Sequence, residues 1–228
     1  MFFVGKTGLS SLHFGIYSVS CSPRRGYRRR LPAPPSRRIG APFTTIQRRT
    51  PMTTPSTDTA SDRQIELDTL FADLDQEFAT TRRVLERYPD AHADWRPHEK
   101  SMSLVELAAH VANLPHFGEN IAESSEFDFA TAPYVPPSAR TRAEILDLFD
   151  EKSAAARRAI GSLDADAMRT NWKLRAGDKI FASATRAYQL RRLMLSHIIH
   201  HRAQLTVYYR LLGVPVPSVY GPSADEAV

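Results

Sequence analysis

The most informative part of the sequence is LRRLMLSHIIHHRAQLTVYYRLLGVPVP, residues 190–217. Its apolar residues recur at helical spacing, and Gly213 followed by Pro215 and Pro217 is the expected stop signal of a helix. We therefore predict a long amphipathic helix over about 183–212. Its predicted buried face consists of Leu190, Met194, Leu205, Tyr208 and Leu212.

Three further helices are predicted upstream, over about 62–88, 103–124 and 142–163, because apolar residues recur there with the helical period. Each begins at a capping-box pattern, in which a Ser or Thr precedes a Glu or Gln by three positions. These patterns are Ser61-Asp-Arg-Gln64, Ser103-Leu-Val-Glu106 and Thr141-Arg-Ala-Glu144. Pro115 should kink or break the second of these helices, because proline has no amide hydrogen to donate.

No strand is predicted. Only five glycines follow Met52, and the chain has no Asn-Gly or Asp-Gly hairpin turn. Residues 125–140 and 164–182 are interpreted as loops. Four amphipathic helices of this length predict an all-α fold, a four-helix bundle.

The N-terminal segment differs in charge from the rest of the chain. Residues 1–51 hold ten basic residues and no acidic one, whereas residues 52–228 hold 20 basic and 25 acidic residues, a net charge of −5. We interpret residues 1–61 as a disordered basic extension and residues 62–226 as the folded domain. Met52 is the favoured true start; a targeting presequence and a secretory signal ending at Cys21 are the alternatives.

Composition excludes several classes of function. A single cysteine excludes a disulfide scaffold and a cysteine-based zinc or iron–sulfur site. The glycines after Met52 cannot form either of the common phosphate-binding loops. No apolar run is long enough for a membrane span. The net charge of −5 on residues 52–228 argues against nucleic-acid binding through a basic surface. A cytoplasmic location follows unless residues 1–51 are a presequence.

Three histidines form the candidate site. His197 and His201 are four residues apart and fall at the middle of the predicted buried face, where an imidazole must have its nitrogens satisfied. A shared metal ion would satisfy both rings, and His110 on the second predicted helix is the best third ligand. The alternative is a hydrogen-bonded core pair without a metal. His200 falls at the flank, either as an exposed neighbour or as a substitute ligand.

Three protein ligands would leave coordination positions open, which favours a catalytic site over a structural one. A fourth side chain would instead close the site, with His98 and His116 the candidates. The nearby arginines Arg191, Arg192 and Arg202 are interpreted as a solvated face, with an anion-binding rim as the alternative.

Three segments together resemble the DinB-like superfamily of metal-binding helical bundles. They are WRPHEKSMSLVELAAHVANL at 95–114, the 190–217 stretch quoted above, and the tail SVYGPSADE at 218–226. The resemblance covers about 62–226. It implies a DinB/YfiT-like bundle in up-up-down-down order, homodimers, and a divalent metal held by His110, His197 and His201.

The resemblance also implies the class of reaction. Characterised relatives include transferases and isomerases that use low-molecular-weight thiols, so we expect a metal-dependent hydrolase or thiol transferase acting on a small molecule. The reacting group would be a water or thiol at the three-histidine site, with Zn, Ni, Fe or Mn as the metal. The alternative is a non-catalytic metal-binding bundle or dimer that serves a stress response.

Overall fold

The computed structural model describes residues 71–132 and 134–227, which lie in one compact unit spanning Thr54–Val228. The predicted start at Met52, the basic extension and the first capping box lie outside the described residues. The helices are α1 (Leu74–Leu85), α2 (Leu104–Asn113), α3 (His116–Glu123), α4 (Arg142–Gly161), α5 (Ala165–Arg169), α6 (Arg186–Gln189) and α7 (Ser196–Leu211). The strands are β1 (Glu126–Asp128), β2 (Asn171–Ala176) and β3 (Lys179–Thr185). None of the described helices combines the length and apolar character that a membrane span needs.

Two predicted helix starts are confirmed in detail. At the start of α2 the Ser103 hydroxyl accepts from the amide of Glu106 at 3.3 Å, and the Glu106 carboxylate accepts from the amide of Ser103 at 2.6 Å. Thr141 and Glu144 form the same reciprocal pair at the start of α4. Each box satisfies two amides that the first helical turn leaves without a partner.

The predicted break at Pro115 is also confirmed. Helix α2 ends at Asn113 and α3 begins at His116, with Pro115 as the residue that precedes α3. Because proline cannot donate to a carbonyl four residues earlier, the chain ends one helix and starts another. The break leaves His110 in the last turn of α2.

The prediction of an all-α four-helix bundle is wrong. The segment interpreted as a loop over 164–182 contains α5, β2 and most of β3, and the fold includes a three-stranded mixed sheet in the order β1-β2-β3. Strand β1 pairs with β2 in parallel through Phe127 opposite Leu174, and β2 pairs with β3 antiparallel through Trp172 opposite Ala184.

Local chemistry explains the hairpin. The Ala176–Lys179 pair closes a two-residue turn of Gly177 and Asp178, and Gly177 has φ +57°, a left-handed conformation that glycine adopts at low cost. Along β2, Trp172 and Leu174 are buried while Asn171 and Lys173 are exposed, the two-residue alternation of a half-buried strand. The Trp172 indole donates to the Ser124 hydroxyl at 3.2 Å, so the sheet is anchored at the end of α3.

The last predicted helix is divided. It begins at Arg186 as α6, continues as a π-helical segment over Leu190–Leu195, and ends as α7 at Leu211, two residues before Gly213. In a π-helix each carbonyl accepts from the amide five residues later, so the segment holds one residue more than an α-helix would in the same turn. The side chains that follow it are therefore rotated by about 100° around the helix axis relative to a regular α-helix. The predicted buried face therefore changes after Leu195.

Residues 198–209 show this shift. Ile198, Arg202, Leu205 and Tyr209 are the buried side chains of α7, whereas Tyr208 is half-buried. The predicted position of the histidine pair at the middle of the buried face is wrong, because His197 and His201 flank that face and are half-buried.

Helix packing brings the two histidine-bearing helices together. Helix α2 packs against both α4 and α7, while α1 also contacts α4 and α7. Between α1 and α4, the rings of Phe78 and Phe149 meet edge to face with centroids 5.9 Å apart. This core holds α2 beside α7 at the level of His110.

Candidate metal centre

Three histidines from two helices meet at one side of the bundle. Each of His110, His197 and His201 offers one ring nitrogen, and these nitrogens all lie within 4.8 Å of one another. The ring centroid of His110 lies 5.2 Å from that of His197 and 4.7 Å from that of His201. The residues that the sequence grouped are therefore neighbours in space, as a shared cation requires.

The backbone orients the His197 ring. Its Nδ1 lies 3.3 Å from the carbonyl oxygen of Leu193. A carbonyl only accepts, so Nδ1 carries the hydrogen and Nε2 presents its lone pair. Leu193 belongs to the π-helical segment and lies four residues before His197, so its carbonyl is within reach of the histidine ring.

The His201 ring has a side-chain partner. Its Nδ1 lies 2.7 Å from Oε1 of Gln204, and its Nε2 lies 2.9 Å from Nε2 of His197. The two Nε2 atoms are within hydrogen-bonding distance of each other, and a cation bound by both rings would replace the hydrogen between them. A metal-binding histidine usually forms a hydrogen bond with the ring nitrogen that does not bind the metal.

Burial keeps all three rings neutral. Desolvation, together with the neighbouring rings, lowers the pKa of His110 from 6.5 to about 3 and that of His197 to about 4. The pKa of His201 is also lowered, mainly by desolvation. Neutral imidazole is the form that binds metal, so the unprotonated ligands are available at neutral pH.

No fourth side chain closes the group within residues 71–132 and 134–227. The exposed His98 accepts from the amide of Lys100, and His116 pairs with Asn120 at 2.6 Å. Neither belongs to the three-histidine group. His200 is exposed with its ring centroid 4.8 Å from that of His201, which confirms the interpretation of an exposed neighbour. The described site therefore has three imidazole donors and a half-exposed face.

A cavity of about 630 Å³ lies elsewhere in the fold. It is lined by residues of α1 and the C-terminal segment, among them Arg83, Ser218 and Glu226, and by none of the three histidines. This cavity is therefore separate from the three-histidine site.

The three nearby arginines occupy different environments. Arg202, interpreted from sequence as solvated or rim-forming, is buried against Glu77. Arg191 forms an ion pair with Asp73 at 3.0 Å. Arg192 is exposed, and its positive charge contributes to the lowering of the His197 pKa. The site therefore has a positive charge nearby.

Two groups that contact the histidines were not predicted from the sequence: the Leu193 carbonyl and the Gln204 side chain. The spacing could have indicated Gln204, because it lies three residues after His201 and seven after His197, on the same helical face. The Leu193 carbonyl had no such signal, because it is a backbone group that every residue carries.

Comparisons with known proteins show what the chain is similar to. None of the curated proteins matches the chain. A DinB-like protein from Bacillus subtilis shares the fold with a TM-score of 0.51 and 18% identity, over 66% of this chain and 96% of that one. A protein classed with the DinB family from Exiguobacterium sibiricum matches with a TM-score of 0.46 and 22% identity, over 67% and 93% of the two chains. The sequence model described as "DinB family" matches residues 56–227, so the chain belongs to the DinB family.

Proposed function

We propose that the chain is a metal-dependent enzyme that acts on a small molecule at the three-histidine site, as a hydrolase or a low-molecular-weight-thiol transferase. The observation that carries the proposal is the convergence of three neutral imidazole nitrogens within 4.8 Å of one another, with no fourth ligand among the described residues. Sites built in this way keep positions open for substrate, whereas structural sites are closed by four protein ligands.

His110, His197 and His201 would hold the cation. A divalent metal on neutral imidazoles lowers the pKa of a water or thiol ligand, which supplies a nucleophile near neutral pH. The Leu193 carbonyl and Gln204 orient two of the rings, and the helix packing of α2 on α7 sets the distance to the third. Imidazole suits several first-row metals, so the proposal covers Zn, Ni, Fe and Mn.

Charge around the site favours an anionic ligand. Three neutral donors leave both charges of a divalent cation uncompensated, and Arg192 adds positive potential near His197. A thiolate would compensate this charge directly, which supports the thiol-dependent version of the proposal.

We also propose that the chain forms a homodimer, which family membership supports. Light scattering of the purified chain would test this.

Elemental analysis of protein purified without chelator tests the metal. We expect one divalent ion per chain in the wild type and in His200→Ala, and severe loss in His110→Ala, His197→Ala and His201→Ala. Stoichiometric metal in a His110→Ala/His201→Ala double variant would defeat the assignment.

A second experiment tests the chemistry. The metal-loaded protein is titrated with cysteine and, as a matched control, with serine, while thermal stability and the cobalt absorption spectrum of a Co²⁺-loaded sample are followed. Stabilisation and a new sulfur-to-metal absorption with cysteine alone would support thiol chemistry. A metal-loaded protein that responds to neither compound and hydrolyses no small ester or amide would favour the non-catalytic alternative.

A further inference from the structure

The cavity beside α1 is lined by polar side chains that the proposed metal centre does not use. Its volume of about 630 Å³ lies in the range of small-molecule sites in proteins. One wall is the face of α1 that carries Gln76, Thr80 and Arg83, which are four and three residues apart and therefore share one side of the helix. The other wall is the C-terminal segment, which contributes Ser218, Val219 and Glu226.

Two hydroxyl groups in these walls have no hydrogen-bond partner within residues 71–132 and 134–227. They belong to Thr80 and Ser218, which are only 7% and 8% exposed. The neighbouring Thr81 shows the usual helical arrangement, since its hydroxyl donates to the Glu77 carbonyl at 2.7 Å. Both unpartnered oxygens belong to residues that line the cavity, and neither oxygen is sealed from solvent. Because a buried hydroxyl normally has a partner, these two groups indicate a polar occupant of the cavity.

Arg83 adds a positive charge to the same space. Its guanidinium donates from Nη2 to the Ser218 carbonyl at 2.9 Å, and it forms no ion pair with a carboxylate in the part of the chain that the structure describes. The Glu226 carboxylate also lines the cavity, but its charge is compensated by an ion pair with Arg87. The net charge of the cavity is therefore positive, and an anion is the expected ligand.

The two walls are already joined in the ligand-free chain. The Ser218 amide donates to Glu226 at 3.1 Å, its carbonyl accepts from Arg83, and the Tyr220 hydroxyl donates to Glu77 of α1 at 2.7 Å. These contacts hold the C-terminal segment against α1 on both sides of the cavity. A site with fixed walls needs little ordering when a ligand binds, which favours affinity for a small molecule.

We propose that this cavity is a second binding site, which takes a small hydroxylated organic acid. The Arg83 guanidinium binds the carboxylate of the acid through a charge-assisted hydrogen bond. The hydroxyls of Thr80 and Ser218 can each donate and accept, so they bind the hydroxyl groups of the same ligand. The site shares no residue with the three-histidine centre, and the inference does not depend on the proposed function.

Calorimetry of the full chain with gluconate, malate and lactate at constant ionic strength tests the site. Sorbitol is the neutral control ligand, because it has the hydroxyl groups of gluconate without the carboxylate. Inorganic phosphate tests whether negative charge alone is sufficient for binding. Arg83→Gln removes the charge from the cavity, and Thr80→Val removes one hydroxyl at nearly the same size.

Matched variants control for these two changes. Arg82→Gln alters the adjacent arginine, which pairs with Asp150 and does not line the cavity. Thr206→Val removes a hydroxyl of α7 that bonds to the Ala203 carbonyl and lies outside the cavity. Ser218→Ala removes the hydroxyl of the other wall and replaces the comparison if Arg83→Gln does not fold.

We expect at least one of the three acids to bind the wild type, and sorbitol not to bind. Arg83→Gln should weaken the binding by about 10- to 100-fold, the usual effect of losing a charge-assisted hydrogen bond. Thr80→Val and Ser218→Ala should each weaken it by about 2- to 10-fold, as expected for a neutral hydrogen bond. Arg82→Gln and Thr206→Val should bind the acid as the wild type does.

Hydroxy acids can also bind a metal ion, so His197→Ala separates the two sites. Unchanged binding in His197→Ala, together with weaker binding in Arg83→Gln, supports the cavity. The opposite pattern would assign the acid to the metal centre and overturn the inference.

Two further results would overturn it: no binding of any of the three acids at millimolar concentration, which would mean that water alone occupies the cavity, or tighter binding of phosphate than of all three. Failure of the proposed function would look different. The wild type would then retain no metal, while the acid would still bind and would still respond to the loss of Arg83.

Discussion

The carboxylate of Glu77 and the guanidinium of Arg202 form an ion pair inside the protein, with Oε2 2.6 Å from Nη1 and both side chains almost wholly buried. Nη1 of Arg202 donates its hydrogens to the Glu77 carbonyl and the Thr81 hydroxyl. The attraction between Nη1 and Oε2 of Glu77 is therefore electrostatic, without an aligned hydrogen bond. The Tyr220 hydroxyl donates to Oε1 of Glu77 at 2.7 Å and thereby ties the C-terminal segment to α1.

Replacement of Glu77 by Gln should destabilise the protein by about 3–5 kcal/mol, because it leaves the Arg202 charge buried without a counter-ion. Urea unfolding followed by circular dichroism measures the change. The double variant Glu77→Leu/Arg202→Met is the control, because it removes both charges and should cost less than the single change. A loss below about 1 kcal/mol in Glu77→Gln would show that the pair is not buried in solution.

Replacement of Gly118 by Ala should cost about 1–3 kcal/mol through overpacking. A methyl group on Gly118 would lie 2.7 Å from Cβ of Ala156 and 2.8 Å from Sδ of Met194, inside the contact between α3, α4 and the π-helical segment. Gly161→Ala is the matched control, since nothing lies within 4 Å of its added methyl group. Equal melting temperatures for the two variants would contradict this packing.

Acid should destabilise the metal-free protein in a defined pH window. Burial lowers the pKa of His110 in the folded state from 6.5 to about 3. At a pH between these two values the histidine is protonated in the unfolded chain but not in the folded chain. This contribution to stability is complete above pH 6.5 and is lost as the pH falls toward 3, with a slope of up to about 1.4 kcal/mol per pH unit. Urea titrations with chelator present, from pH 7 to 4, measure it.

The variant His110→Gln supplies the comparison for that series. It should show a shallower loss of stability with falling pH than the wild type does. Parallel curves for the two proteins would mean that the His110 ring is solvated in the folded state.

Zn²⁺ should raise the melting temperature of the wild type, because a ligand that binds only the folded state stabilises it by mass action. At 100 times the dissociation constant this amounts to about 2.7 kcal/mol. His200→Ala should respond as the wild type does, and His197→Ala should not respond. A rise of the same size in His197→Ala would place the metal at another site.

Features that depend on neighbours in sequence were predictable. The capping boxes at Ser103 and Thr141 and the break at Pro115 are each determined within a few residues. The grouping of His110 with His197 and His201 was also predictable, because four-residue spacing and an amphipathic second helix constrain where the rings can lie.

Features that depend on distant partners were not predictable. Arg202 is buried because Glu77, far away in the sequence, compensates its charge. Strand β1 is only three residues long and exists because β2 pairs with it. The hairpin did have a local signal, the Gly177-Asp178 turn between alternating residues, but its glycine stands first in the turn and not second as in Asn-Gly and Asp-Gly turns.

The π-helical segment makes the length of the last helical region a determinant of the metal centre. If residues 190–195 formed a regular α-helix without losing a residue, His197 and His201 would rotate by about 100° relative to Leu190. Either the ligands would then leave His110 or the packing of Leu190 and Met194 would be lost. Deletion of one residue within the segment would instead remove the extra residue and keep both histidines at nearly their present angle, so a deletion here is expected to be tolerated better than a deletion between His197 and His201, which would destroy their four-residue spacing.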